Sequence, residues 1–223
     1  MVLKSTYNNN DEIIEIGVDE VGRGPMFGRV YCAAVILPKD NYKHELMKDS
    51  KKFTSKKKLH ETADYIKANC LSYSIEYEEH DNIDKFNIKQ ATYTAMHKAI
   101  KNIITKDNSK TYNILVDGND FKPLTYFDSN SESINEITSI CVIGGDNIYS
   151  SIAAASILAK VERDNYILDL CKIYPKLDEY YDLSKNKGYG TANHMKGIKE
   201  YGITKWHRRS FGICKNAEII NLE

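Results

Sequence analysis

The chain has no Cys-x-x-Cys pair, no apolar run of membrane-spanning length, no internal repeat and no net charge. Its five cysteines, Cys32, Cys70, Cys141, Cys171 and Cys214, lie far apart, which argues against a zinc site. An odd cysteine count without a recognisable signal peptide points to reduced thiols, so a cytoplasmic location is expected. The absence of a long apolar run removes the membrane as a partner. Lys+Arg 31 balance Asp+Glu 31, so bulk charge advertises no nucleic acid. The charge is unevenly placed, however. Lysines crowd positions 43 to 58, acids crowd 76 to 84, and the tail turns basic again at Arg208 and Arg209. A neutral chain can still present a basic face.

Hydrophobic residues make up 42% and charged residues 28% of 223 positions, an ordinary globular composition sufficient for one large domain. Residues 1–11 are polar and Asn-rich and read as a flexible lead-in. Residues 12–223 then read as a single domain. Apolar runs at 12–19 and 29–37 predict two strands joined across a Gly-Arg-Gly turn. Residues 39–54 form a Lys-rich loop, and 55–69 a helix capped by Ser55 or Thr54. A third strand is expected at 71–78 and a stronger helix at 87–104, where Ile88, Ala91, Ala95, Ala99 and Ile103 keep helical spacing. Short buried strands follow at 113–116 and 137–143. The helix from Ser150 to Lys172 begins small and apolar nearly all round, which lets neighbours approach closely. After a tyrosine-rich connection at 174–187, Thr191 caps a helix that Gly202 closes. Strands alternating with helices after an initial hairpin argue for an α/β fold, a mixed sheet flanked by helices.

Three of these apolar strands end in acid: Asp19 with Glu20, then Asp117, then Asp146. Sites in such sheets form beyond strand ends. Four converging carboxylates would repel and raise one another's pKa. A hard divalent cation resolves that repulsion, and oxygen ligands suit Mg²⁺ or Mn²⁺. Taken singly, Asp117-Gly118 also suits a plain turn, and Asp146 a solvated one. Adjacent acids followed by Gly22-Arg23-Gly24 have no obvious structural use.

Asp19-Glu20-Val21-Gly22-Arg23-Gly24 resembles the signature of ribonuclease HII. Asp49-Ser50-Lys51-Lys52, Val116-Asp117-Gly118, Gly145-Asp146, the stretch Ser151 to Lys160, Lys187-Gly188-Tyr189-Gly190-Thr191 and His207-Arg208-Arg209-Ser210-Phe211 resemble further blocks of that family, in its order, over about residues 13–212. The resemblance implies an RNase H-like fold with a helical C-terminal portion from about residue 174. It implies an endonuclease that hydrolyses the RNA strand of RNA–DNA hybrids and cuts 5′ of ribonucleotides embedded in duplex DNA. The products would carry 3′-OH and 5′-phosphate ends, and the enzyme would work as a monomer. By motif position, Asp19, Glu20, Asp117 and Asp146 become the catalytic metal ligands for Mn²⁺ or Mg²⁺. Backbone groups of Gly22, Arg23 and Gly24 would meet the 2′-hydroxyl, which alone distinguishes RNA from DNA at the cut. Tyr189 would pack on the next sugar, and Lys51 and Arg208 would bind phosphates, which position a duplex without reading sequence.

Two rival readings stand beside this one. A hybrid-binding protein without catalysis would need the acids to hold no metal. A nucleotide-binding oxidoreductase built on Gly22-x-Gly24 loses one phosphate donor to Pro25 and lacks an acid at a strand end about 20 residues on. Arg29 stands where the resembled family usually has Pro, so the hairpin geometry is expected to differ there.

Overall fold

The structure is a computed structural model describing residues 2–8, 10–105, 110–128 and 132–222. It divides into two compact units. The first comprises the chain up to Val21, then Cys32–Glu76 and Tyr93–Val161. The second comprises Gly22–Tyr31, Tyr77–Thr92 and Glu162 onward.

In chain order the elements are β1 (Ile13–Val21), β2 (Val30–Ile36), α1 (Lys56–Asn69), β3 (Ser72–Glu78), α2 (His80–Ile104), β4 (Thr111–Asp117), β5 (Thr125–Asp128), β6 (Ser133–Glu136), β7 (Thr138–Val142), α3 (Ser150–Ile173), α4 (Lys176–Tyr181), α5 (Leu183–Asn186) and α6 (Ala192–Tyr201). Five strands form one mixed sheet in the order β3-β2-β1-β4-β7, while β5 and β6 make a separate antiparallel pair. β1 with β4, and β4 with β7, are parallel. Their C-terminal ends therefore lie along one edge of the sheet.

The first unit's core follows strand alternation. Ile16 and Val18 of β1 and Ile114 and Val116 of β4 point to one face. There they meet Ala95, Met96, Ala99, Ile100 and Ile103 of α2, the spacing of one helical stripe. Each of the buried isoleucines contributes about 1.5–3 kcal/mol by leaving water. On the other face Leu115 packs with Tyr149 and Ile152 at the start of α3. This approach is close enough to exclude a side chain: a Cβ on Gly17 would sit 2.2 Å from the Ser151 carbonyl carbon. That contact explains why α3 opens with small residues. The N-terminal residues are tied to this unit. Lys4 N–H donates to the Ile148 carbonyl at 2.8 Å, and Tyr7 N–H donates to the Glu15 carboxylate at 2.8 Å.

The second unit centres on Phe27, Ile167, Leu177, Tyr181, Leu183, Ile198 and Ile203. α4 and α6 approach so closely that a Cβ on Gly197 would lie 2.0 Å from the Tyr180 carbonyl oxygen. Thr191 caps α6, accepting from His194 N–H at 3.4 Å, and Gly202 ends it with φ +89°.

The helix expected at 87–104 is present: Asn87, at φ 68°, breaks the helical geometry and its side chain accepts from Gln90 N–H at 3.1 Å, while a further helical stretch from His80 leads up to that kink. One expectation needs correction. The connection expected at 174–187 contains two short helices, α4 and α5. Asp178, in the first turn of α4, accepts from Ser184 N–H at 2.7 Å and so ties α4 to the first turn of α5.

Candidate active site

β1 runs two residues beyond Asp19, so Asp19 and Glu20 lie inside the strand rather than at its end. Neighbouring strand residues face opposite ways, and Asp19 is buried while Glu20 is half-buried. The β1–β4 register pairs Val18 with Val116. One step further along both strands stand Asp19 and Asp117. Asp146 comes four residues after β7, within a 3-10 turn over Gly145–Asn147. Gly144 begins that turn in the left-handed region, φ 66°. Asp117 Oδ1 accepts from Gly145 N–H at 2.7 Å, which ties the turn to the end of β4.

The electrostatics link these acids in series. Burial, then the charges of Glu20 and Asp117, raise the Asp19 carboxyl well above the usual carboxylate range. Burial also raises Asp146, reinforced by Asp117 and Asp49 and opposed by Lys51. These are the responses of like charges sharing a poorly solvated place. Each acid meanwhile leans on a local donor. Asp19 Oδ1 accepts from Glu20 N–H at 2.7 Å, and Asp146 Oδ1 from Asn147 Nδ2 at 2.8 Å. Among the described residues, no three His, Cys, Asp or Glu side chains are gathered tightly enough to hold an ion in this arrangement. The donor chemistry nevertheless fits a hard cation. The acids offer only oxygen, and a buried carboxyl beside two like charges ionises readily only when a cation offsets them.

Three residues in this unit lie in stretches the sequence reading quoted but were given no role by it. The Ser156 hydroxyl hydrogen-bonds the Asp19 carboxylate and favours its ionised form. Ser156 in turn lies 3.0 Å from the buried Ser50 hydroxyl. Asp49 caps the short 3-10 turn Ser50–Lys52, accepting from Lys51 N–H at 2.9 Å. The signal for Ser156 was present: a serine nearly two turns into α3, within its small, buried apolar stretch, needs a polar partner. Lys51 is exposed, with its charge felt at Asp146. Lys52 donates to the Asn147 side chain.

The second unit holds the turn and Tyr189. Gly22 has φ +98°, and a Cβ there would fall 2.2 Å from Arg163 Nε. Only glycine satisfies both conditions. Arg23 and Gly24 are exposed. Tyr189, 45% exposed, lies beside Gly24, whose Cβ would be 3.6 Å from the ring. A hydrogen-bond chain of defined direction ends at Tyr189. Thr204 N–H donates to His207 Nδ1 at 3.0 Å, so that nitrogen carries no proton. His207 Nε2–H then donates to His194 Nε2 at 3.1 Å. His194 Nδ1–H donates to the Tyr189 carbonyl at 3.0 Å. Burial holds both imidazoles below the ordinary histidine range, and His194 lowers His207 further.

Arg208, expected as a phosphate contact, has other partners. It is 0% exposed. Its Nε donates to Gly28 O, its Nη1 to Arg23 O and Pro25 O, and its Nη2 to Gly22 O and Arg29 O, at 2.6 to 3.1 Å. A guanidinium has five N–H donors, and all are engaged, so none remains for a phosphate. Burial and the neighbouring Arg163 press it down to about 9, still a cation near neutrality.

The profile of the ribonuclease HII family matches residues 16–214. The ribonuclease HII of Bacteroides thetaiotaomicron is 39% identical over 210 residues, covering 94% of this chain and 95% of that one. The ribonuclease HII of Cytophaga hutchinsonii is 42% identical over 198 residues, covering 89% of each. The fold is also that of the ribonuclease H2 from Pyrococcus horikoshii OT3, with TM-score 0.66, 22% identity and coverage of 90% of this chain and 95% of that one. No helix among the described residues is long and apolar enough to cross a membrane. With this RNase H-like sheet, its acid-bearing edge and a family match across nearly its whole length, the chain belongs to the ribonuclease HII family, endonucleases acting on the RNA of RNA–DNA hybrids.

Proposed function

We propose that the chain cuts duplex nucleic acid at ribonucleotides, including single ribonucleotides embedded in DNA, with Asp19, Glu20, Asp117 and Asp146 holding divalent Mg²⁺ or Mn²⁺. The observation that carries this reading is Asp19: a buried carboxyl, raised by its surroundings, with Glu20 and Asp117 acting on it. When bound, such cations activate water and stabilise both oxygens of an in-line phosphodiester displacement, leaving 3′-OH and 5′-phosphate ends. The protein's own part is to hold and bias the carboxylates. The Ser156 hydroxyl favours the ionised form of Asp19 against its burial, and Gly145 N–H orients Asp117. Lys51 offers an exposed ammonium to a phosphate, beside Asp146.

Substrate choice falls to the second unit. The turn Gly22-Arg23-Gly24, with Arg23 and Gly24 exposed, offers backbone groups that suit a ribose 2′-hydroxyl. The exposed ring of Tyr189 suits an adjoining sugar that lacks a polar 2′ group. The family match runs across both units, so we treat residues 12–223 as one catalytic domain.

The test is cleavage of a DNA duplex holding one ribonucleotide, with Mg²⁺ or Mn²⁺, by wild type and Asp117→Asn. Metal-dependent cutting on the 5′ side of the ribonucleotide, lost in the variant, is expected. No cutting by folded wild type in either metal would overturn the reading. Cutting confined to long hybrids would remove the role given to Tyr189.

A further inference from the structure

Beneath the Gly22–Arg29 segment lie two fully buried guanidiniums, Arg163 and Arg208, both 0% exposed. Hydrogen bonds to backbone carbonyls surround both. Arg163 donates to Arg29 O, Lys187 O and Phe27 O at 3.0 to 3.2 Å, and Arg208 donates to the five carbonyls named above. Burying a cation is costly unless its polar groups are partnered, and eight carbonyl contacts reach all six guanidinium nitrogens of these two. The segment is built around them.

The direction of those contacts matters. In a trans peptide the carbonyl and the following N–H point opposite ways across one rigid plane, and the chain has no cis peptide. Arg208 draws in Gly22 O at 2.6 Å and Arg23 O at 2.9 Å. The N–H groups of Arg23 and Gly24, on the far sides of those two planes, are thereby turned away from the guanidinium. Both residues are exposed. The next anchored peptide shows the same rule at work. Arg208 holds Pro25 O at 2.7 Å, and Met26 N–H, opposite it, reaches Gly188 O at 2.9 Å. Arg163 fixes the segment's other end and its companion loop by binding Phe27 O and Lys187 O, two residues before Tyr189.

We infer that Arg208 and Arg163 are positioning residues for ribose selectivity: bound wholly to carbonyls, they aim the Arg23 and Gly24 amides at the sugar without touching substrate. This rests on the reading of the turn given above. Neither guanidinium faces a phosphate, because backbone carbonyls take its nitrogens. Lysine in either place would keep the charge but lose the planar fork.

The test uses the full chain in single-turnover cleavage of a duplex with one ribonucleotide, with an all-DNA duplex as competitor. Selectivity is the competitor's inhibition constant divided by the half-saturating substrate concentration. For Arg208→Lys and Arg163→Lys, with folding checked by melting, half-saturation should rise by about tenfold, roughly the loss of one charged hydrogen bond. The competitor's constant and the metal concentration for half-maximal rate should stay within about twofold, since neither guanidinium contacts the DNA or the acids. Folded variants with wild-type selectivity would overturn the inference. So would equal losses for both duplexes, which would mark a diffuse charge effect instead. If Arg208→Lys does not fold, Arg163→Lys decides. A wild type with no ribose selectivity would instead overturn the reading of the turn itself.

Discussion

Replacing Gly17 by alanine isolates a purely steric term. Gly17 lies in β1, two residues before Asp19, and its φ is not in the left-handed region, so alanine costs no backbone strain there. The added Cβ would fall 2.2 Å from Ser151 C and 2.5 Å from Ile152 N. Ordinary contact begins near 3.4 Å, so the start of α3 would have to retreat by about 1.2 Å. The clashing atoms are backbone, with no rotamer to yield. Overpacking typically costs about 1–3 kcal/mol and sometimes more, and rigid neighbours place this case near 3 kcal/mol or above. For a chain of this size each kcal/mol lowers the melting point by about 2–4 °C, so a fall of roughly 6–12 °C is expected. Differential scanning calorimetry measures it. Gly118→Ala is the control: nothing lies within 4 Å of its Cβ, and only φ +104° is strained, at about 1–2 kcal/mol. If Gly17→Ala melts within about 2 °C of wild type, the close packing of α3 on β1 is refuted.

Other outcomes follow from the same geometry. Ser156→Ala removes the hydroxyl that favours ionised Asp19; the metal concentration for half-maximal rate should rise about tenfold or more, the value of one hydrogen bond to a charge, and an unchanged metal titration would sink that role. Tyr189→Ala should weaken cleavage at a single ribonucleotide more than cleavage within a long hybrid; equal losses on both substrates would count against junction sensing. The His194–His207 pair is held neutral by burial, so the unfolded state binds more protons than the folded state once pH falls through the ordinary histidine value of about 6.5. Stability should be full above that pH and decline below it. His207→Gln should flatten the slope in urea unfolding between about pH 7 and 5, and an identical slope in both proteins would refute it.

What could be read before the structure was the chemistry carried by strands. The acids at Asp19, Glu20 and Asp117 each follow a largely apolar run, and the parallel register of β1 and β4 brings Asp19 and Asp117 level. What could not be read depended on partners remote in sequence. Arg208 looks like any exposed basic pair in the tail, because nothing local says that five carbonyls around residues 22–29 surround it. The opening turns of α2 were hidden by their acidic composition. Asp84 is there because its carboxylate accepts the N–H groups of Arg209 and Ser210 at 2.7 and 2.9 Å, a long-range cap. The short helices α4 and α5 lack the length for a periodic signal. The β5–β6 hairpin interrupts the route from β4 to β7 without adding to the main sheet, so alternation of strand and helix did not predict it.

The anchoring of Gly22 by Arg208 spans 186 residues of chain. Closing a loop of that length costs about 4.6 kcal/mol of chain entropy. That cost is met only after residue 208 has been made. During synthesis, β1 and its two acids emerge from the ribosome early, while the turn beside them in sequence waits for residue 208 to gain its shape. A chain stopped short of Arg208 would carry the acids and lack the anchored turn. The shape proposed to read the ribose is thus acquired later than the acids.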